Sequence, residues 1–151
     1  SSGIGFAAAP SREPVNIDSA DALRDTLLQA KCIAVSASGS GRYVSEDLLN
    51  KLGIADQVHD RLMVSAKTPI AELLADGRCD VGFQQISELV GARGISFIGP
   101  LPPSVQKTTV FAAGIPTNAA HAATGAALIR FLASPGHDDQ LRSVGLDAPR
   151  R

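Results

Sequence analysis

Two short apolar runs, KCIAVS at 31–36 and CDVGF at 79–83, carry no alternation of polar and apolar residues. A strand with one wet face alternates, so runs of this kind are strands covered on both faces. Helical patterns with their own start and stop signals separate them. Residues 16–30, NIDSADALRDTLLQA, offer Asp18 or Ser19 as an N-cap, followed by Ala22, Leu23, Thr26, Leu27 and Ala30 at helical spacing. A Ser/Gly loop leads into a helix through Leu52, with Gly53 just past its end. Residues 68–77, TPIAELLADG, read as a compact helix with Thr68 as cap, Pro69 at the first helical position and Gly77 beyond the end.

The remaining segments fit the same rhythm. GIGFAAA at 3–9 is a buried strand stopped by Pro10. IADQVHDRL is a short helical turn, LMVSA a strand and QQISELV a helix start. GISFIGPL is a strand ended by two prolines, KTTVFAAGI is a longer strand, and residues 118–146 form two helices broken at Ser134 and Pro135. Strand and helix therefore alternate, which predicts an α/β fold, a doubly wound and mainly parallel sheet with helices on both faces. Right-handed crossovers leave few topologies. Ligands in such sheets sit beyond the carboxyl ends of the strands.

The chain has 151 residues, 44% of them hydrophobic, enough for a sizeable core. Lys and Arg total 14 against 15 Asp and Glu, a formal charge of −1, so no basic surplus argues for nucleic acid or an anionic membrane surface. No apolar run approaches the ~20 residues that span a bilayer. Nothing at the start resembles a signal peptide, and a removed signal would leave the same absence. Cys32 and Cys79 lack the close spacing of a metal or redox motif. Two small buried hydrophobes are the expectation, with a single bridge possible in an oxidising compartment.

The loop SASGSGRY at 36–43 carries the strongest chemical signal. Ser36 ends a strand, and Ser38, Gly39, Ser40 and Gly41 make the turn. Arg42 and Tyr43 open the helix. A helix start carries unpaired N–H groups and the positive end of the dipole. Small residues let a ligand approach those amides, and serines add hydroxyl donors, which together suit an oxyanion or a carboxylate. The competing reading is an ordinary turn whose serine caps its helix. Phosphate-loop spacing and the dinucleotide fingerprint GxGxxG are both absent.

Gln84 and Gln85 follow an apolar strand, so at least one should project near the same sheet edge, where an amide can both donate and accept. Lys67 and Thr68 precede a helix start and are weaker candidates, as is Ser2 on the first strand. His59, His121 and His137 are scattered and give no metal site. There is no GxSxG elbow. Glu88 and Asp80 flank GFQQ and could act as acid or base, but nothing in the sequence places them in a pocket. No catalytic residue, metal ligand or cofactor site is assigned.

Several segments in order resemble the periplasmic molybdate-binding-like group of bacterial solute-binding proteins from ABC transporters. They include SGIGFAAA, ALRDTLLQAKCIAVS, SGSGRY, LLNKLGI and PIAELLADGRCDVGFQQISEL. FIGPLPPSVQKTTVFAAGI and ALIRFLASP complete the set. GFQQISEL followed by GPLP is the most specific part. The resemblance implies a type II periplasmic-binding fold, in which two α/β lobes joined by crossing hinge strands close on a ligand. On that basis residues 1–14 are a crossing strand and hinge. Residues 15–105 form one complete ligand-binding lobe. Residues 106–151 supply the return strand and C-terminal helices of the other lobe. Family members begin with a further βαβα segment that this chain lacks, so the second lobe is expected to be truncated. Its apolar surface would be open to self-association as a homo-oligomer. The resemblance also implies that the strands at Cys32 and Cys79 are neighbours, with both cysteines near strand starts. A bridge between adjacent parallel strands would be strained, so free thiols are the expectation.

The resemblance implies a periplasmic protein that captures a small anionic ligand, with an ABC permease as partner. Classical molybdate sites of this group are built from neutral backbone and hydroxyl donors, whereas Arg42 adds a charge that favours a carboxylate. Some proteins of the group are trans-aconitate isomerases, which implies an enzymatic alternative on an unsaturated tricarboxylic acid. A third reading is the effector-binding domain of a transcription regulator, which shares the fold.

Overall fold

The computed structural model describes residues 1–12 and 15–148. The expected boundary at 14 and the chain end at 151 lie outside the described residues. Six strands form one sheet: β1 (Ser2–Ala8), β2 (Ile33–Ser36), β3 (Leu62–Ser65), β4 (Val81–Gln85), β5 (Ser96–Pro100) and β6 (Thr108–Thr109). The order is β3-β2-β4-β1-β5, with β6 on the N-terminal end of β1. β2 runs parallel to both β3 and β4, the pattern left by helical crossovers. β1 is antiparallel to β4, β5 and β6. The sheet is thus more mixed than the βα rhythm alone implies, because β1 runs against each of its neighbours.

Helices cover both faces. One side carries α1 (Ala20–Gln29), then α2 (Gly39–Arg42), a π-helical turn (Tyr43–Leu48) and α3 (Leu49–Lys51) as one continuous helical run, and α4 (Ala55–Val58). Their apolar residues, Leu23, Leu27, Val44, Leu48, Leu49 and Val58, pack with Ile33, Val35, Phe83 and Phe6 in the larger core. Phe6 and Phe83 face each other across the β1–β4 ladder, edge to face at 5.0 Å. The opposite side carries α5 (Ile70–Ala75) and α6 (Ile86–Leu89), whose Ile70, Leu73, Leu74 and Leu89 cover Ala7 and Ala34. Both faces of β2 and β4 are buried, as their unalternated sequences require.

Ser19 caps α1 by accepting from the Ala22 N–H at 3.1 Å. Gly53 and Gly77 lie past helix ends at φ +67° and +68°. Two local expectations change. Pro69 is the cap residue of α5, while Thr68 closes a turn in which its N–H donates to the Ser65 hydroxyl. The long strand expected at 107–115 shortens to Thr108–Thr109. A strand needs a partner, and β1 offers this one only Ser2 and Gly3.

The cysteines are bonded, contrary to the expectation of free thiols. Cys32 precedes β2 by one residue and Cys79 precedes β4 by two, so both stand outside the parallel ladder. There the backbone brings their Cα atoms to 4.7 Å, within the disulfide range. Asp80 sits beside the bridge. Its carboxylate accepts from the N–H of Cys32 at 2.7 Å and of Lys31 at 3.1 Å, and pairs with Arg12.

The C-terminal part is different in kind. α7 (Ala122–Leu132) and α8 (Asp138–Ser143), joined by a turn at Pro135–His137, contain no buried residue. Leu128, Phe131 and Leu132 of α7 are all more than half exposed. Among the described residues no helix is long and apolar enough to cross a membrane.

Candidate functional site

The parallel strands β3, β2 and β4 end together at Ser65, Ser36 and Gln85. β2 then turns directly into α2, and the Ala37 N–H donates to the Ser65 carbonyl at 2.8 Å, which ties the two strand ends. The first intrahelical bond runs from the Arg42 N–H to the Ser38 carbonyl at 2.9 Å. The amides of Gly39, Ser40 and Gly41 precede it and have no partner within the helix. Ser38 is the cap residue, yet its side chain makes no capping bond. Its hydroxyl lies 2.7 Å from that of Ser36, which lies 3.4 Å from that of Ser40. Three hydroxyls linked by two contacts use two protons, so one proton is left for an outside acceptor. The ordinary capped turn is therefore not what forms here.

Gly41 has a packing role that the sequence did not disclose. A Cβ there would lie 1.8 Å from the Ser36 carbonyl oxygen. The residue is small so that the helix start can rest on the end of β2, which brings Ser40 over Ser36. Gly39 has no atom within 4 Å of where its Cβ would be, so space for an approaching group lies there.

Gln84 comes to the same rim. Val35 and Phe83 are the last registered pair of β2 and β4, so the next step along the two strands sets Ser36 beside Gln84. The start of α2 packs on both strands. Gln84 is 7% exposed, its Nε2 donates to the Glu88 carboxylate, and its buried Oε1 has no hydrogen-bond partner.

The structure draws the other candidates away. Tyr43 is buried and donates its hydroxyl to the Val105 carbonyl at 2.8 Å, so it packs the lobe. Lys51 and Lys107 lie over its ring at 5.2 and 5.3 Å. Arg42 is exposed and reaches Glu46 at 3.4 Å, a surface pair. Ser2 is fully buried; its hydroxyl donates to the Gly145 carbonyl at 3.0 Å and accepts from the Ser87 N–H. Gln85 faces β1 and β6. With its nitrogen toward β1 it donates to the carbonyls of Ser2 and Gly3 at 2.9 and 3.1 Å and accepts from the Thr109 hydroxyl at 2.7 Å. These bonds join β4 to β1 and β6. Lys67 and Thr68 line a separate open groove of about 410 Å³ on β3, with Met63, Val64 and Arg78.

Of the acid/base candidates, Asp80 is held by Arg12 at the far end of β4, and Glu88 is held by Gln84. Among the described residues no group of three or more His, Cys, Asp or Glu could hold a metal ion. The rim that remains is Ser36, Ser38, Gly39, Ser40, Gly41 and Gln84. Its donors are the amides and hydroxyls of the helix start, and Gln84 stands on the neighbouring strand beside Ser36.

The comparisons agree with this architecture. An aconitate isomerase from a Pseudomonas species is 30% identical over 131 residues, covering 87% of this chain and 50% of that protein. The substrate-binding domain of a putative molybdenum ABC transporter from Clostridium difficile superposes with a TM-score of 0.73. It is 17% identical, and the match covers 99% of this chain and 64% of that one. The periplasmic molybdate-binding protein of Azotobacter vinelandii gives 0.67, also at 17% identity, over 99% of this chain and 67% of that one. At such identities the two structures speak for the fold. The chain spans about half the length of the curated relative it matches. The family model for bacterial extracellular solute-binding proteins matches residues 1–147, and the chain belongs to that family.

Proposed function

We propose that this chain holds the ligand for an extracellular solute-binding protein that captures a small oxyanion or carboxylate and delivers it to an ABC permease. The observation that carries this reading is the linked hydroxyl set of Ser36, Ser38 and Ser40 over the open helix start at the carboxyl end of β2. Fixed donors of this kind stabilise negative charge without a counter-charge. No bond is made or broken. Residues 15–105 supply the donors, residues 1–14 and 106–109 act as hinge strands, and lobe closure removes the ligand from water. The Cys32–Cys79 bond supports an oxidising compartment, the periplasm. The exposed apolar face of α7 supports an interface, with a second copy as its occupant in the isolated chain.

Ser40 is the sharpest test because it is 3% exposed. Losing one hydrogen bond to a charged group weakens binding by roughly 1.5–3 kcal/mol, about ten- to 150-fold. Calorimetry on the complete protein carrying Ser40→Ala should read a loss in that range. Unchanged affinity removes the loop from the site.

The relative named as an aconitate isomerase favours a second reading, catalysis on an unsaturated tricarboxylate. Such a reaction needs a base within hydrogen-bond reach of the substrate. Incubation with trans-aconitate separates the readings: appearance of the cis isomer supports the enzyme, and recovery of unchanged ligand supports capture.

A further inference from the structure

The amide of Gln84 is oriented, and its orientation says what the ligand must carry. Its Nε2 donates to the Glu88 carboxylate, a pairing that only the nitrogen can make because a carboxylate accepts. The Oε1 is buried and without a hydrogen-bond partner, in a side chain only 7% exposed on the strand position beside Ser36. A buried acceptor left unmade costs free energy until a donor arrives. The other polar groups of the rim, the hydroxyls and helix-start amides, address negative oxygens. A bare tetraoxyanion has no proton to offer Oε1. A carboxylate that also bears a hydroxyl offers both.

We infer that Gln84, held by Glu88, selects anions carrying a hydroxyl donor, and that the ligand class is a small hydroxycarboxylate. This rests on the anion-site reading above. Gln84 acts as the specificity residue and Glu88 as the positioning residue. An unsaturated tricarboxylate without a hydroxyl leaves Oε1 unpartnered, so the inference also ranks such compounds below their hydroxylated counterparts.

The test is calorimetric titration of the complete protein with citrate, with tricarballylate, which lacks only the hydroxyl, and with molybdate. The expected result is citrate tighter than tricarballylate by about tenfold or more, because the analogue leaves a buried group unmade. In Gln84→Leu the two tricarboxylates should bind within about twofold of each other. Glu88→Ala frees the amide to rotate, and the preference should shrink while the circular dichroism spectrum stays that of the parent. Equal affinities in the parent protein would mean that water serves Oε1, and would overturn the inference while leaving the anion site standing. Molybdate tighter than citrate would overturn it as well. Binding of none of the three would overturn the anion site itself.

Discussion

Replacing Gly41 by alanine should damage the fold locally although it adds a helix-favouring residue. In an open helix the change gains about 1 kcal/mol. Here the new Cβ would stand 1.8 Å from the Ser36 carbonyl oxygen and 2.6 Å from that residue's carbonyl carbon and nitrogen. Carbon contacts settle near 3.5 Å, so the helix start must lift by roughly 1.5 Å. All three atoms are backbone at the end of a buried strand, and no rotamer relieves them. Overpacking of a core costs about 1–3 kcal/mol, and a clash with backbone alone takes the upper end, so after the helix gain the net loss should be about 2 kcal/mol. With a urea slope of about 1–2 kcal/mol/M, the midpoint should fall by roughly 1–2 M. Gly39→Ala is the matched control, because nothing lies within 4 Å of its Cβ position. Its stability should stay within about 0.5 kcal/mol of the parent. A Gly41→Ala chain as stable as the Gly39→Ala chain would refute the claim that α2 rests on β2, and with it the placement of Ser40.

Four further outcomes come from other parts of the molecule. The Cys32–Cys79 bridge closes a separation of 47 residues, for which chain entropy gives about 4 kcal/mol. Urea titrations with and without reductant should differ by up to that amount, and coincident curves would show that the bond is not formed. Asp80→Ala removes the partner of Arg12 and of two strand-start amides and should cost about 3 kcal/mol. Arg142→Ala, which breaks an exposed pair with Asp139, should cost under about 0.5 kcal/mol by the same assay. The isolated 151-residue chain should self-associate in sedimentation, and Phe131→Glu should return it to monomer; a parent that is monomeric throughout would refute the second-copy interface.

The readable part of the fold came from residues whose local and tertiary demands coincide. The runs at 33–36 and 81–85 had to be strands, because apolar residues on both faces need cover on both faces. Ser19, Gly53 and Gly77 mark helix ends for reasons confined to their own neighbourhood. The return strand was over-read because strand propensity carries no information about partners, and only Ser2 and Gly3 are there to pair. The disulfide was misjudged because strain in a parallel ladder is a property of registered positions, and Cys32 and Cys79 lie just before the ladder starts.

The site divides in the same way. Ser36, Ser38 and Ser40 were legible because a hydroxyl at a strand–helix junction has few other duties. Tyr43 was not, since its direction depends on the π turn that places it inward with Leu48, five residues on. Gly41 signalled a close approach, but the approaching group is the strand's own carbonyl. Gln84 and Gln85 are indistinguishable in sequence. Strand alternation sets one beside Ser36 and turns the other to Ser2, Gly3 and Thr109.

The most direct measurement is an amide chemical-shift titration of the isotopically labelled protein with citrate. The account predicts saturable shifts concentrated at the backbone amides of Gly39, Ser40 and Gly41 and at the side-chain amide of Gln84. Shifts centred on the Lys67–Arg78 groove, or a spectrum that does not move at any concentration, would contradict it.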